Sequence, residues 1–148
     1  MRTIIKKEIG MDIKIKVESI TKEELSDILE NALFGSSWLG ADYDYSDYEK
    51  LDSKEEYLSD KLAALLLNGY EVTFTDYYAE GETYGTKCKS SVDEYEDGIY
   101  KVNIGRILET ASTPEGYNLV KEIVDGNGDY YTADNFMQLV LFDEVIYG

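Results

Sequence analysis

Carboxylates and tyrosines are the side chains of this sequence most able to take part in chemistry, and they concentrate in residues 40–50, GADYDYSDYEK. Four acids and three tyrosines alternate there, namely Asp42, Asp44, Asp47, Glu49, Tyr43, Tyr45 and Tyr48. Carboxylate oxygens at such spacing could bind calcium. The stretch could also be a solvated linker, or a surface that imitates the phosphates of a nucleic acid.

A calcium loop of the EF-hand type needs a turn glycine at position 6 and a bidentate glutamate at position 12. A frame that begins at Asp42 places Asp47 and Ser53 at these positions. A frame that begins at Asp125 lacks both residues as well. We therefore expect no metal ligands here and keep a calcium-binding module as an alternative.

The remaining residue types argue against catalysis. The chain has no histidine and one cysteine, Cys88, which excludes the triads that use imidazole as a base and a cysteine-built structural zinc site. "GNG" at Gly126–Gly128 does not continue as a dinucleotide-binding loop, and no P-loop occurs. Carboxylate pairs are too numerous for any pair to be distinctive. We expect a protein that is not an enzyme and needs no cofactor.

Charge is the most unusual property of the chain. Its 31 acidic and 14 basic residues give a net charge of −17. Residues 1–10 carry +2, so that residues 11–148 carry −19. Such a chain repels nucleic acid and anionic membranes and favours basic protein surfaces. High acidity also promotes solubility without any partner, and this alternative stays open.

Compartment and domain organisation follow from the same composition. A single cysteine suits the reducing cytoplasm, and no apolar run approaches the roughly 18 residues that a membrane span requires. The regular pattern begins at Asp12, which indicates Met11 as the natural start and residues 1–10 as an extension. Residues 11–148 then form a single domain. We expect a cytoplasmic protein.

Two tyrosine-bearing stretches hold much of the negative charge. Residues 42–60 and 71–100 each contain eight acids and two lysines. About 17 charges occupy roughly 30 Å of duplex DNA, and a globule of this length is roughly 35–40 Å across, so the charge density is in the range of a nucleic acid. The predicted partner-binding residues are Asp42, Tyr43, Asp44, Tyr45, Asp47, Tyr48, Glu49, Glu80, Glu82, Asp93, Glu94, Glu96 and Asp97.

Periodicity predicts an α+β fold, a small antiparallel sheet of three to four strands packed by about four to five helices. The predicted strands are 12–19, 70–78, 86–91 and 98–104. The predicted helices are 21–34, 53–68, one from Ile104, one from Pro114, and 132–142. Thr21 with Glu24 and Ser53 with Glu56 are candidate capping boxes, and Thr132 is a candidate cap. Residues 40–52 are predicted to be an ordered polar connection between two helices.

Two segments resemble the ends of a family of small acidic proteins encoded by phages and mobile elements of Gram-positive gut bacteria. They are "ITKEELSDILENALFGSSWLGADY" and "TADNFMQLVLFDEVIYG", about a third of the chain. The family shows a small glycine-rich pair and then an aromatic after its first helix, which Gly35–Ser37 and Trp38 match. It has glycine before the final Glu-Val/Ile-x-Tyr-Gly, where this chain has Asp143.

The resemblance implies no catalytic residues, but it does indicate the kind of protein and its biological context. Small acidic phage proteins are often similar to counter-defence proteins, so we expect a non-enzymatic anti-CRISPR inhibitor. It would bind the basic nucleic-acid-binding surface of a CRISPR effector nuclease or complex by acidic DNA mimicry. An anti-restriction DNA mimic is the other reading of the same surface. Neither reading expects direct binding to nucleic acid or to a membrane.

Overall fold

Strands occupy the first and middle parts of the chain, and helices separate them and fill the last third. The computed structural model describes residues 3–9, 12–52, 54–79, 92–96 and 98–148. The strands in these ranges are β1 Thr3–Ile9, β2 Asp12–Ser19, β3 Leu39–Asp42, β4 Val72–Asp76, β5 Val92–Glu96 and β6 Ile99–Val102. The helices are α1 Lys22–Gly35, α2 Tyr45–Glu49, α3 Leu58–Leu67, α4 Ile104–Ala111, α5 Pro114–Val124 and α6 Tyr130–Phe142. The fold is α+β, as predicted.

Four strands form an antiparallel sheet in the order β3-β4-β6-β5, and β1 pairs with β2 in a separate antiparallel hairpin. Strand β4 shows the alternation expected of a half-buried strand, with Val72 and Phe74 buried and Thr73 half-buried. Gly98 turns the chain between β5 and β6 with a φ of 79°, a conformation that glycine adopts without a Cβ penalty.

Helices α1, α3 and α6 pack against the buried face of this sheet. Leu25, Ile28 and Leu29 of α1 and Phe136 of α6 are almost fully buried, and each such side chain contributes roughly 1.5–3 kcal/mol by leaving water. The ring of Trp38 lies 5.5 Å from that of Phe142. The fold therefore brings α1, α6 and the start of β3 together at one end of the molecule.

Local signals placed α1 correctly. The Thr21 side chain accepts a hydrogen bond from the Glu24 N–H at 3.1 Å, and the Glu24 carboxylate accepts one from the Thr21 N–H at 2.9 Å, so the predicted capping box is confirmed. Gly69, with a φ of 89°, follows the C-terminus of α3, where a left-handed residue closes the last turn.

Other predictions were wrong. The predicted connection 40–52 contains a strand and a short helix, β3 and α2. Helix α3 begins at Leu58 after Tyr57, which makes no side-chain cap, so the helix does not start at Ser53, a residue outside the described ranges. Helix α6 begins at Tyr130, because the Asp129 carboxylate caps it instead of Thr132. Strand β5 was missed, and the predicted strand 86–91 lies outside the described residues.

A buried arginine holds the end of α6. Arg106 of α4 is 2% exposed and donates to the carbonyls of Val140 at 2.7 Å and Leu139 at 2.9 Å. It also pairs with the carboxylate of Asp143 at 2.5 Å. Asp143 adopts a left-handed φ of 62°, so the turn after α6 forms with an aspartate at this position.

The last helical residue of α1 is a glycine because another helix lies against it. A Cβ on Gly35 would overlap the Cβ of Tyr130, the first residue of α6. Helix propensity alone favours alanine over glycine by about 1 kcal/mol. The contact between the helices reverses this preference, because the overpacking caused by an alanine at Gly35 costs about 1–3 kcal/mol.

We therefore expect Gly35→Ala to lower the free energy of unfolding, measured by urea denaturation, by about 1–2 kcal/mol. In a Tyr130→Gly background, which removes the overlapping atoms, the same substitution should be neutral or stabilising. Equal effects in the two backgrounds would show that the contact with Tyr130 does not determine the glycine.

Candidate acidic binding surface

Helix α2 holds part of the acidic stretch, residues 40–50, in a defined conformation. The Asp44 carboxylate caps this helix, accepting from the Ser46 N–H at 2.8 Å and the Ser46 hydroxyl at 2.6 Å. The hydroxyl first, and then the backbone N–H, hold the pKa of Asp44 below its ordinary value. Asp44 is therefore ionised at neutral pH and is also a structural residue.

The three tyrosines of the stretch have different environments. Tyr45 is 65% exposed, whereas Tyr48 is 6% exposed, and its hydroxyl donates to the Glu55 carbonyl at 3.1 Å. The ring of Tyr43 is half-buried, and its centroid lies 5.6 Å from that of Tyr48. Lys61 approaches both rings, at 6.0 Å and 5.5 Å from their centroids. Tyr48 thus anchors α2 to α3, and we leave it out of the surface proposed below.

An acidic cleft of about 340 Å³ lies where α2 meets the sheet. We use this name for the depression lined by Asp42, Tyr43, Asp44, Asp47, Glu71, Thr73 and Lys101. The sheet register explains the grouping, because Asp42 is opposite Thr73 and Thr73 is opposite Lys101. Four carboxylates and one ammonium group line this cleft, so its wall carries net negative charge.

A second acidic concavity was missed by the sequence analysis. Glu23, Asp27 and Glu30 occupy positions i, i+4 and i+7 of α1 and so share one helix face. Packing of α3 against α1 adds Asp60, whose carboxylate accepts from the Ser26 hydroxyl at 2.6 Å. This acidic groove has a volume of about 390 Å³, and its lining is Lys22, Glu23, Ser26, Asp27, Glu30, Tyr57, Ser59 and Asp60. The i, i+4, i+7 spacing was the available sequence signal.

Repulsion between the crowded negative charges of the acidic groove destabilises the folded state. The pKa of Asp27 is raised by burial first, and then by the negative charges of Glu23 and Asp60. A raised carboxyl pKa means that the folded state holds the proton more tightly than the unfolded state. The stability contribution is therefore lost as pH rises through the folded pKa, and the ionised groove is less stable than a neutral one.

We expect Asp27→Asn to raise the free energy of unfolding at pH 7 by at most a few tenths of a kcal/mol. The gain should vanish in acid, below the ordinary carboxyl pKa of 3.8. Asp44→Asn is the control with the opposite sign, because its lowered pKa favours folding above that value and loses this contribution as pH falls. Urea denaturation across a pH series measures both. A clear loss of stability in Asp27→Asn at pH 7 would contradict this account of the groove.

Residues 54–57, the linking segment, connect the two concavities. The Glu55 N–H donates to the Tyr48 hydroxyl at 2.5 Å, below α2. The Glu55 carboxylate also pairs with Lys22 at the N-terminus of α1, at 2.5 Å. Tyr57 is 65% exposed and lines the acidic groove. The linking segment therefore contacts both α2, which borders the acidic cleft, and residues that line the acidic groove.

Six of the other predicted site residues fall where side chains are not described. Glu80, Glu82 and Asp97 lie outside the described residues, and Asp93, Glu94 and Glu96 lie on β5, for which the backbone pairing alone is described. Glu49 is exposed on α2. Among residues with described side chains, no three acids, histidines or cysteines are grouped as metal ligands. Of the two acids in the second calcium frame, Asp125 follows α5 and Asp129 caps α6.

Neither a family model, nor a curated protein, nor a solved structure matches the chain. In the described ranges no helix has both the length and the apolarity to cross a membrane. The geometry and charge of the acidic surface are therefore the basis for a functional proposal.

Proposed function

We propose that this protein is a non-enzymatic inhibitor of the phage or mobile-element type, acting in the host cytoplasm. It occupies the basic nucleic-acid-binding surface of a CRISPR effector complex by presenting carboxylates where nucleic acid presents phosphates. The observation that supports this most is the concentration of carboxylates in two concavities, the acidic cleft and the acidic groove.

The spacing of carboxylates on α1 suits this role. Glu23, Asp27 and Glu30 span about 10 Å along the helix axis at 1.5 Å per residue, an average of about 5 Å between successive charges. Phosphates on one DNA strand repeat every 3.4 Å along the axis. Asp60 adds a charge from the neighbouring helix, which brings the local density closer to that of a strand.

The energetic cost at Asp27 supports the same conclusion. A face that served only solubility would gain from spreading its charges, because mutual repulsion destabilises the compact state. The pKa of Asp27 is raised by local burial first and then by the negative charges of Glu23 and Asp60, so the carboxylates of the groove are crowded although Glu23, Asp27 and Glu30 are exposed. Charge that is retained at a cost to the fold is typical of functional sites.

Competition with nucleic acid tests the proposal. Purified CRISPR effector complexes of several types are titrated with labelled target DNA in the presence of increasing amounts of the protein. For at least one type, we expect the protein to displace DNA, with an apparent affinity that falls steeply as salt rises from about 50 to 200 mM. A DNA-binding restriction endonuclease is tested in parallel, because displacement there alone identifies an anti-restriction mimic.

If DNA binding is unaffected for every effector at low salt, the proposed function is wrong. Displacement that does not depend on salt would exclude charge mimicry as its mechanism, since screening weakens contacts between exposed charges. Calorimetry with calcium, repeated with magnesium, addresses the module alternative, for which a saturable binding isotherm is the decisive result.

A further inference from the structure

An aromatic cleft lies at the end of the molecule where α1 stops and α6 begins. Its rim exposes Tyr78, Tyr130 and Tyr131, which are 45%, 48% and 69% exposed, and Phe34 beside them is 77% exposed. Its volume is about 320 Å³, at the lower end of the range for ligand pockets, about 300–1,000 Å³. Exposed aromatic side chains around a concavity are typical of interaction sites.

The cleft is built by ordered contacts. Gly35 lets the end of α1 touch Tyr130, and the rings of Phe34 and Tyr130 lie 5.2 Å apart. The hydroxyl of Tyr78 lies 2.5 Å from that of Ser37. The rings of Tyr78 and Tyr130 are therefore held in position before any partner arrives, which lowers the entropic cost of binding.

A carboxylate lies in the wall of the cleft. Asp134 accepts hydrogen bonds from the Ser36 hydroxyl at 2.7 Å, the Trp38 indole N–H at 3.0 Å and the Gln138 amide at 2.6 Å. These three donors are neutral, so they orient the carboxylate without cancelling its charge. Among the described residues that line the cleft, Asp134 carries the only charged side chain. The cleft combines π faces with the fixed negative charge of Asp134.

The charge of each possible ligand indicates whether it can bind in the aromatic cleft. A nucleic acid and a second copy of this chain are both strongly negative, and the net charge of −17 repels either. A cation is attracted both by the ring faces and by the carboxylate. Arginine fits better than lysine, because its planar guanidinium stacks on aromatic faces and is more weakly hydrated than an ammonium group.

We propose that the aromatic cleft binds an arginine side chain of the basic partner, with the guanidinium on the tyrosine rings and directed towards Asp134. This inference rests on the proposed function, because it assigns a second contact with the same kind of partner. It adds a preference for arginine over lysine. Charge mimicry lacks this preference, because a surface that only attracts positive charge binds arginine and lysine equally.

Two labelled peptides of equal charge test this preference, one of Arg-Gly-Gly repeats and one of Lys-Gly-Gly repeats, by fluorescence anisotropy at low salt. We expect the wild-type protein to bind the arginine peptide more tightly, by about two- to fivefold for each ring that stacks. Tyr78→Leu with Tyr130→Leu and Tyr131→Leu keeps apolar side chains but removes the three rings of the rim, and this variant should bind both peptides equally. Tyr77→Leu is the matched control, because Tyr77 is 65% exposed and is not part of the cleft.

Equal binding of the two peptides by the wild-type protein overturns the arginine assignment and leaves the proposed function standing. A preference that persists in the variant without the three rim tyrosines, or that Tyr77→Leu also removes, overturns it as well. Absence of binding to either peptide overturns the arginine site, and continued displacement of DNA from an effector would then show that the acidic surface acts without it.

Discussion

A variant with Asp42→Lys, Asp47→Lys and Glu49→Lys is expected to bind the proposed basic partner about a hundredfold or more weakly than the wild-type protein. Each substitution removes an attraction and adds a repulsion, and exposed charge pairs are worth about 0.2–1 kcal/mol each. The three substitutions therefore change six charge interactions. Together these amount to about 3 kcal/mol or more when several are near the upper value, and every 1.4 kcal/mol corresponds to a tenfold change in affinity.

The structure determines which acids are suitable for this test. Asp44 stays unchanged because its carboxylate caps α2, and a lysine there would alter the fold as well as the charge. The Asp42 carboxylate accepts a hydrogen bond from the next N–H, that of Tyr43, at 2.8 Å, and Asp47 lies 3.8 Å from the exposed Lys50. Neither interaction is strong enough to hold α2 in place.

A matched control has the same change of net charge elsewhere. Glu115, Glu122 and Asp125 are exposed on or just after α5, away from the acidic cleft and the acidic groove. Their replacement by lysine should change the affinity much less, with circular dichroism confirming that both variants fold. Equal losses in the two variants would show that total charge, and not the mapped surface, determines binding.

Arg106→Leu is expected to lower the free energy of unfolding by about 3–5 kcal/mol, the typical cost of removing one partner of a buried ion pair. The substitution leaves the carbonyls of Leu139 and Val140 without their buried donors. It also strands the Asp143 carboxylate at the negative end of α6, where an anion is unfavourable. Urea denaturation measures this loss, and a change of less than about 1 kcal/mol would contradict it.

Two further variants separate the contributions around Arg106. Glu109→Gln removes the partner that is 53% exposed and should cost less than about 1 kcal/mol. Adding Asp143→Gly to Arg106→Leu removes the stranded carboxylate and relieves the left-handed backbone, so it should recover about 1 kcal/mol. If the double variant is no more stable than Arg106→Leu, the charge and backbone of Asp143 are not what the arginine compensates.

Elements with strong local signals could be predicted from sequence. The alternation of β2, the apolar stripe of α1 with its capping box, and Pro114 at the start of α5 each fix an element through residues close to it in the chain. Strand β3 could not be predicted in this way. Its four residues become a strand by pairing with β4, more than thirty positions away, and no local pattern contains that partner.

The candidate site likewise combines features that could be predicted from the sequence with features that depend on tertiary packing. The acids of residues 42–49 were visible as a cluster, but burial of Tyr48 depends on contact with Glu55 and Lys61. The stripe on α1 could be read from its spacing, whereas Asp60 joins it because α1 packs on α3. Long-range packing likewise assembles the aromatic cleft from residues about a hundred positions apart, such as Ser36 and Asp134.

Sequence alone determined the charge of this protein, its lack of histidine and the α+β character of its fold, because these properties are sums over residues or depend on near neighbours. Tertiary structure decided which carboxylates share a concavity, which tyrosines reach solvent and which are buried. The physical reason is that exposure and electrostatic crowding depend on what packs nearby, and here the nearest groups come from distant parts of the chain.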